Sequence, residues 1–103
     1  MLSVEPLAVE FSANAVADLE DIALHIAKDN PLAAEAWVQK LIVAAERAAT
    51  MPRAGRVVPE MEDPDIREVL LKTYRILYRV EAARILVLTV FEGHRKLRIR
   101  WRI

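Results

Sequence analysis

The apolar residues of this chain follow a helical period in its first half and a strand period in its second half. From Asn14 to Asp29 the larger apolar residues recur every three or four positions, as in an amphipathic helix. Asn30-Pro31 then supplies an N-cap and a first-turn proline, and the same period continues to about Thr50. So short a link requires two antiparallel helices whose apolar faces point the same way.

The remaining regular structure is expected to consist of strands. Leu7 to Phe11 is short and contains Val and Phe, and Ser12 follows it as an N-cap for the first helix. Met51 to Asp65 contains three prolines and a glycine, which predicts an ordered loop or a crossover. Beyond that loop come three segments rich in β-branched and aromatic residues: Arg67 to Lys72, Tyr74 to Glu81 and Arg84 to Glu92.

This order of elements predicts an α+β fold: an N-terminal strand, then an antiparallel helical hairpin packed on a mostly antiparallel β-sheet. The 103 residues are expected to form one domain, residues 1–103. Ala82-Ala83 is short enough for a tight hairpin between the last two strands, although it lacks the usual Asn-Gly chemistry. Alternation along the segment from Tyr74 places Arg75 and Arg79 on one face and the better core residues on the other.

The composition excludes several classes of protein. The chain has no Cys, so disulfides, thiolate zinc sites and Cys nucleophiles are excluded. No apolar stretch approaches the ~18 residues of a membrane span, and the first residues lack the basic region of a signal peptide. Two histidines, His25 and His94, are too far apart for a short metal-binding spacing, and His25 is expected on a helix surface or core edge. We therefore expect a cytoplasmic protein without a metal, a cofactor or a membrane partner.

Charge is distributed unevenly between the two halves. Residues 1–52 carry 3 basic and 8 acidic side chains, a net charge of −5, whereas residues 53–103 carry 12 basic and 7 acidic ones, a net charge of +5. A cationic half attracts polyanions, whether nucleic acid or an acidic protein segment. The alternative is that the two halves neutralise each other across the fold.

Seven short motifs occur in a specific order and spacing: Ala17-Asp18-Leu19-Glu20-Asp21-Ile22, Asn30-Pro31-Leu32-Ala33-Ala34, Met51-Pro52-Arg53-Ala54-Gly55-Arg56, Val58-Pro59-Glu60, Ile66-Arg67-Glu68, Tyr74-Arg75-Ile76-Leu77-Tyr78-Arg79-Val80 and Val90-Phe91-Glu92-Gly93-His94-Arg95. Over about residues 8–97 this succession resembles the RelE/ParE toxin superfamily, on its ParE or plasmid-stabilisation side. The resemblance implies the growth-inhibiting toxin of a bacterial type II toxin–antitoxin system, neutralised by a cognate antitoxin in a hetero-oligomer.

The resemblance leaves the target open. ParE-like members bind and poison DNA gyrase and need no nuclease chemistry, and the closer match on that side favours gyrase inhibition. RelE-like members cut messenger RNA on the ribosome, so the alternative hypothesis is that the chain is an enzyme, a metal-independent endoribonuclease. The third hypothesis is that the chain is a non-toxic descendant of such toxins that is retained only as a binding partner.

Few residues are candidates for catalysis under the nuclease hypothesis. Metal-free attack by a 2′-hydroxyl needs a base, an acid and cations that hold the phosphate. His94 lies in a cationic setting and is the candidate for proton transfer, although a role in capping the last strand is slightly favoured. The resemblance carries over Arg67 and Arg75 as cations, and Arg95 adjoins His94.

The protein-binding hypothesis rests on a basic segment near the end of the sequence. From Lys96 to Ile103 cations and apolar residues alternate without a break, which predicts a strand or tail with one charged and one apolar face. Its apolar face should be covered, either by the domain's own sheet and second helix or by a partner. The residues expected to contact the antitoxin or target are Arg75, Arg79, Arg95, Lys96, Arg98, Arg100 and Trp101, while Trp37 is expected in the helix–sheet core.

Overall fold

The computed structural model describes residues 5–93. These residues form two helices and a five-stranded sheet with the order β1-β5-β4-β3-β2. Every neighbouring pair is antiparallel except β1 and β5, which are parallel. The elements, in chain order, are β1 (Ala8–Phe11), α1 (Ala13–Ala27), α2 (Pro31–Ala48), a 3-10 turn (Pro52–Ala54), β2 (Arg56–Val57), β3 (Ile66–Leu71), β4 (Tyr74–Val80) and β5 (Arg84–Glu92). The α+β fold expected from the sequence is confirmed.

Both helices begin where their caps predict. The Ser12 side chain accepts a hydrogen bond from the Ala15 N–H at 3.0 Å, and Asn30 Oδ1 accepts one from the Ala33 N–H at 3.2 Å. Each cap satisfies an N–H group that the first helical turn leaves unpaired. The three-residue link and the proline at the start of α2 produce the antiparallel hairpin.

The helical hairpin covers one face of the sheet and forms the main core with it. Its buried residues are Ala15, Leu19, Leu41, Ala45, Ala48, Ala49, Ile76, Tyr78, Ile85, Val87 and Val90. Ile76 and Tyr78 lie on this face of β4, as alternation predicts. Trp37 does not: it is half-buried, with its ring centroid 5.8 Å from that of Tyr74 and the Lys40 ammonium 5.3 Å from its centre. The expectation that Trp37 sits in the core was wrong: its ring packs beside Tyr74, the first residue of β4, and stays half-buried.

The segment between α2 and β3 covers part of the other sheet face. It contains the 3-10 turn and the short β2, which pairs with Arg67 and Glu68 of β3. A second, smaller apolar cluster lies beneath it, formed by Val58, Ile66, Leu77 and Leu88. The expected ordered loop is therefore a cover held against the sheet, and the site described below lies at its edge.

A bulge in β5 fixes α1 to the sheet. The pairing of β4 with β5 shifts between Leu77 and Tyr78, which leaves Leu88 without an opposite residue. The Leu88 carbonyl instead accepts hydrogen bonds from Ser12 Oγ at 3.0 Å and Asn14 Nδ2 at 3.1 Å. One turn further along α1, the Asp18 carboxylate accepts hydrogen bonds from the Thr89 hydroxyl and the Val90 N–H.

Candidate functional site

Arg75 is the centre of a buried ion network on the sheet face opposite the helices. Its side chain is 9% exposed, and its Nε donates to Glu68 Oε1 at 2.6 Å. Its two terminal nitrogens donate to the two oxygens of Glu60, at 2.7 and 2.8 Å. Arg56 Nε donates to the second oxygen of Glu68 at 2.8 Å, and the Phe91 ring lies 5.2 Å from the Arg75 guanidinium. The buried Glu68 carboxylate thus holds the Arg75 guanidinium in place, and the Glu60 carboxylate from the loop covers its outward edge.

The electrostatics of the network follow from these contacts. The hydrogen bonds from Arg75 lower the pKa of Glu60 to about 2, although partial burial opposes the shift. Hydrogen bonding to Glu60 raises the pKa of Arg75, against the opposing effect of burial. Two carboxylates face two guanidinium groups, so the network is close to neutral. A phosphate could reach the outward edge of Arg75 only by displacing Glu60.

Arg67 does not join this network. It is paired with Tyr78 in the sheet and lies on the same face as that tyrosine, whereas Arg75 lies on the opposite face with Glu68. The Arg67 guanidinium donates to three backbone carbonyls, those of Pro64, Arg53 and Gly55, at 2.8 to 3.1 Å. These bonds tie both ends of the covering loop to β3. The structure therefore separates the two arginines that the resemblance carried over.

Arg79 lies on the same face as Arg75, as alternation predicts, and it also has a carboxylate partner. Arg79 Nε donates to Glu81 at 2.9 Å, and Arg84 Nε donates to the other oxygen of Glu81 at 2.5 Å. Arg84 also pairs with Glu10 of β1. The bonds from Arg84 and Arg79 lower the pKa of Glu81, and the partial exposure of its side chain leaves the pairs open to screening by salt.

On the described part of this face, Arg56, Arg75, Arg79 and Arg84 thus each pair with a carboxylate. Three of the four partner carboxylates, those of Glu60, Glu68 and Glu81, come from the same basic half of the chain, and Glu10 comes from the acidic half. Sequence reasoning missed Glu60 and Glu68. Glu68 gives a signal in retrospect, because a charged residue on the same strand face as the apolar Ile66 needs a partner when that face is buried.

The other predicted site residues, His94, Arg95, Lys96, Arg98, Arg100 and Trp101, lie outside the described residues. His25 is exposed on α1, in agreement with its expected surface position. Within residues 5–93 no group of three or more potential ligands could hold a metal ion. Neither helix in that part of the chain is long and apolar enough to cross a membrane.

A groove of about 600 Å³ opens between α2 and β3. Apolar side chains form most of its wall, and Lys40 and Arg47 of α2 also line it. Its apolar lining includes Val43, Ala44, Ala48, Met51, Val69 and Leu71. Sequence reasoning did not identify this groove, because it depends on how far β2 extends along β3.

The sequence matches the family model for the ParE toxin of the type II toxin–antitoxin system parDE over residues 9–97. No curated protein gives a significant match. Among solved structures, the fold is similar to the chromosomal ParDE system from P. aeruginosa, with a TM-score of 0.71, 22% identity, and coverage of 84% of this chain and 95% of that one. It is also similar to the RelBE2 toxin–antitoxin complex from Mycobacterium tuberculosis, with a TM-score of 0.64, 20% identity, and coverage of 87% and 94%.

A third similar structure is a mutant of the E. coli toxin RelE in the free state. Its TM-score is 0.55 and its identity 20%, with coverage of 87% of this chain and 86% of that one. At these identities the three structures establish a shared fold and leave the target of this chain open.

Proposed function

The chain belongs to the ParE toxin family of type II toxin–antitoxin systems, and from this membership we propose that it inhibits growth by binding a protein target, with DNA gyrase favoured. The favoured target follows from the match on the ParE side of the superfamily. Gyrase is a cytoplasmic enzyme, so the proposal includes a cytoplasmic location. It also includes a role in plasmid stabilisation, as the resemblance implies.

The closed network around Arg75 is the observation that carries this proposal. Phosphate-transfer chemistry without a metal needs cations that are free to hold the developing charge. Here the outward edge of Arg75 is occupied by both oxygens of Glu60, and Arg67 lies on the other face of the sheet bonded to backbone carbonyls. Neither arginine offers an open phosphate site, which supports protein binding over nuclease action.

Gyrase supercoiling in the presence of the purified full chain tests the target. We expect supercoiling to decline with toxin concentration and to recover when the antitoxin is added. The matched variant is Arg98→Ala/Arg100→Ala, which removes two predicted target contacts outside the described core and should weaken inhibition. Circular dichroism must show that both proteins are folded. Normal supercoiling at saturating toxin would rule out gyrase as the target.

The ribosome-dependent endoribonuclease is the second candidate, and the cations between Arg95 and Arg102 favour it. Mapping the 5′ ends of cellular transcripts after induction tests it. Codon-phased cuts that disappear in His94→Ala would support cleavage, and Glu60→Gln should then increase cutting because it frees Arg75. Intact transcripts in all three strains would refute it. If induction leaves growth unchanged, the chain is a non-toxic descendant.

The partner is proposed to be a cognate antitoxin, because two of the similar structures are described as toxin–antitoxin systems or complexes. We expect it to have an acidic amphipathic segment that lies along the sheet and helical hairpin. Its carboxylates would meet the cations of the region from Lys72 to Arg102, where 9 basic residues face 2 acidic ones. Co-purification of the two proteins at moderate salt tests the pairing, and their failure to co-purify would count against it.

A further inference from the structure

The groove between α2 and β3 is bordered by exposed apolar side chains, whatever the cellular target of the chain. Large apolar side chains are exposed beside it, with Val43 at 41%, Met51 at 68% and Leu70 at 61% of their full accessible area. All three contribute to its lining. Clustered exposure of this kind marks a surface that another segment covers.

One side of the groove is an unpaired sheet edge. The Val58 N–H donates to the Ile66 carbonyl, so Ile66, Glu68 and Leu70 direct their backbone groups away from β4. β2 pairs with β3 only as far as Glu68. Within the described residues no strand therefore pairs with Leu70 on this side, and its N–H and C=O are available to an added strand.

The chain leaves the described part close to this edge. The Gly93 N–H bonds to the Thr73 carbonyl in the turn between β3 and β4. The position outside β3 lies three strand spacings from β5, which is ~14 Å. Four extended residues, 94–97, span about this distance at ~3.3 to 3.6 Å each. A segment entering from the turn would run antiparallel to β3.

We propose that residues 98–103 of this chain add a strand to the free edge of β3 and place Ile99 and Trp101 in the groove. Val69 and Leu71 pack with the helix-side core, so residues of one parity in the added strand face α2. The apolar residues of the segment all share that parity, and Arg98 and Arg100 have the other. The apolar face therefore meets the groove while the cations stay in solvent, away from Lys40 and Arg47 on its wall.

The covalent link between Gly93 and residues 98–103 is the reason to assign the groove to this segment rather than to a second copy. A segment joined to Gly93 by four residues has an effective concentration on the order of millimolar at β3. The added strand also pairs a sheet edge that is open, within the described residues, beside an apolar groove and would otherwise invite pairing between molecules. A second copy and a bound antitoxin are the other occupants that the experiment distinguishes.

Trp101 fluorescence in a Trp37→Phe variant of the full chain tests the proposal, because Trp37 and Trp101 are the only tryptophans. We expect blue-shifted emission from the free protein, independent of protein concentration. Adding Val43→Glu puts a charge in the groove wall and should move the emission to the solvent-exposed wavelength. Leu32→Glu is the matched control: it makes the same kind of change on α2 at a residue that is 90% exposed and outside the groove, and should leave the blue shift intact.

Amide exchange of Leu70 provides a second readout. Its N–H should be protected in the full chain, and Ile99→Pro should accelerate its exchange by roughly tenfold or more while the core Ile76 amide is unchanged. Solvent-exposed emission in the free protein would overturn the proposal, as would a blue shift that Val43→Glu leaves intact. A blue shift lost on dilution would assign the groove to a second copy, and one present only with antitoxin would assign it to that partner.

Discussion

The hydroxyl of Tyr78 occupies the space in which a side chain at Gly55 would begin. Tyr78 donates from that hydroxyl to the Pro52 carbonyl at 2.6 Å and is otherwise in the core beneath the helices. A Cβ built on Gly55 would overlap the hydroxyl and lie 3.0 Å from the Glu68 carbonyl. Burial raises the pKa of Tyr78, so the hydroxyl keeps its proton as a donor. The covering loop is therefore seated on β4 by a contact that only glycine permits.

Gly55→Ala is expected to destabilise the protein by about 1–3 kcal/mol, because the new methyl group must displace the tyrosine or the loop. The free energy of unfolding in urea measures this. In a Tyr78→Phe background the closest clash is absent, so the same substitution should cost less. An equal cost in both backgrounds would show that the clash with the hydroxyl is not the cause.

The two carboxylates of the Arg75 network should differ in their effect on stability. Glu68 is 1% exposed and pairs with both Arg75 and Arg56, so Glu68→Gln should cost about 3 kcal/mol or more. Glu60 is 39% exposed and Arg75 would keep Glu68, so Glu60→Gln should cost about 1 kcal/mol. Glu62→Gln, an exposed change in the same loop, serves as the control and should have little effect. The reverse order of the first two would contradict this account of the network.

The stability of the protein should fall in acid between pH 4.5 and about 2. The pKa of Glu60 is lowered from 4.5 to about 2 in the folded protein, so the unfolded chain binds more protons within this window. The free energy of unfolding therefore rises with pH there, and the contribution of Glu60 is fully present above pH 4.5. Urea titrations at several pH values across this window should show that the free energy of unfolding depends less steeply on pH in Glu60→Gln than in the unmodified protein. Identical slopes for the two proteins would exclude Glu60 as a source of the pH dependence.

Local signals predicted the elements of this fold well. Ser12 and Asn30 cap helices that begin at the next residue, and the predicted Arg84 to Glu92 strand matches β5. Those features depend on neighbours in sequence. The bulge at Leu88 depends instead on hydrogen bonds from Ser12, the N-cap of α1, and from Asn14 of α1, more than 70 residues away, and nothing in the strand itself signals it.

The site was predictable only in part, for the same reason. Alternation correctly placed Arg75 and Arg79 on one face, because parity is a local property of a strand. The neutralisation of Arg75 was not predictable, since Glu60 lies 15 residues away in a loop with no periodic pattern. The functional roles of Arg67 and Arg75 stay predictions. Both side chains have hydrogen-bond partners in the fold, and either arginine could bind a phosphate only by giving up some of those bonds.

Lys72 is the one non-glycine residue with a positive φ in the described part of the chain, at 55°. It is the first of the two residues that join β3 to β4, and this pattern is typical of a type II′ turn, in which glycine is preferred at that position. A left-handed conformation costs a lysine roughly 1–2 kcal/mol, whereas the greater freedom of glycine in the unfolded chain offsets about 0.4–1 kcal/mol of the gain. Lys72→Gly is therefore expected to raise the free energy of unfolding by about 0.5–1 kcal/mol. Thr73→Gly is the matched control and should lower it, because Thr73 lacks a positive φ and gains only disorder in the unfolded state. If Lys72→Gly destabilises the protein as much as Thr73→Gly does, the lysine side chain rather than its backbone strain governs this turn.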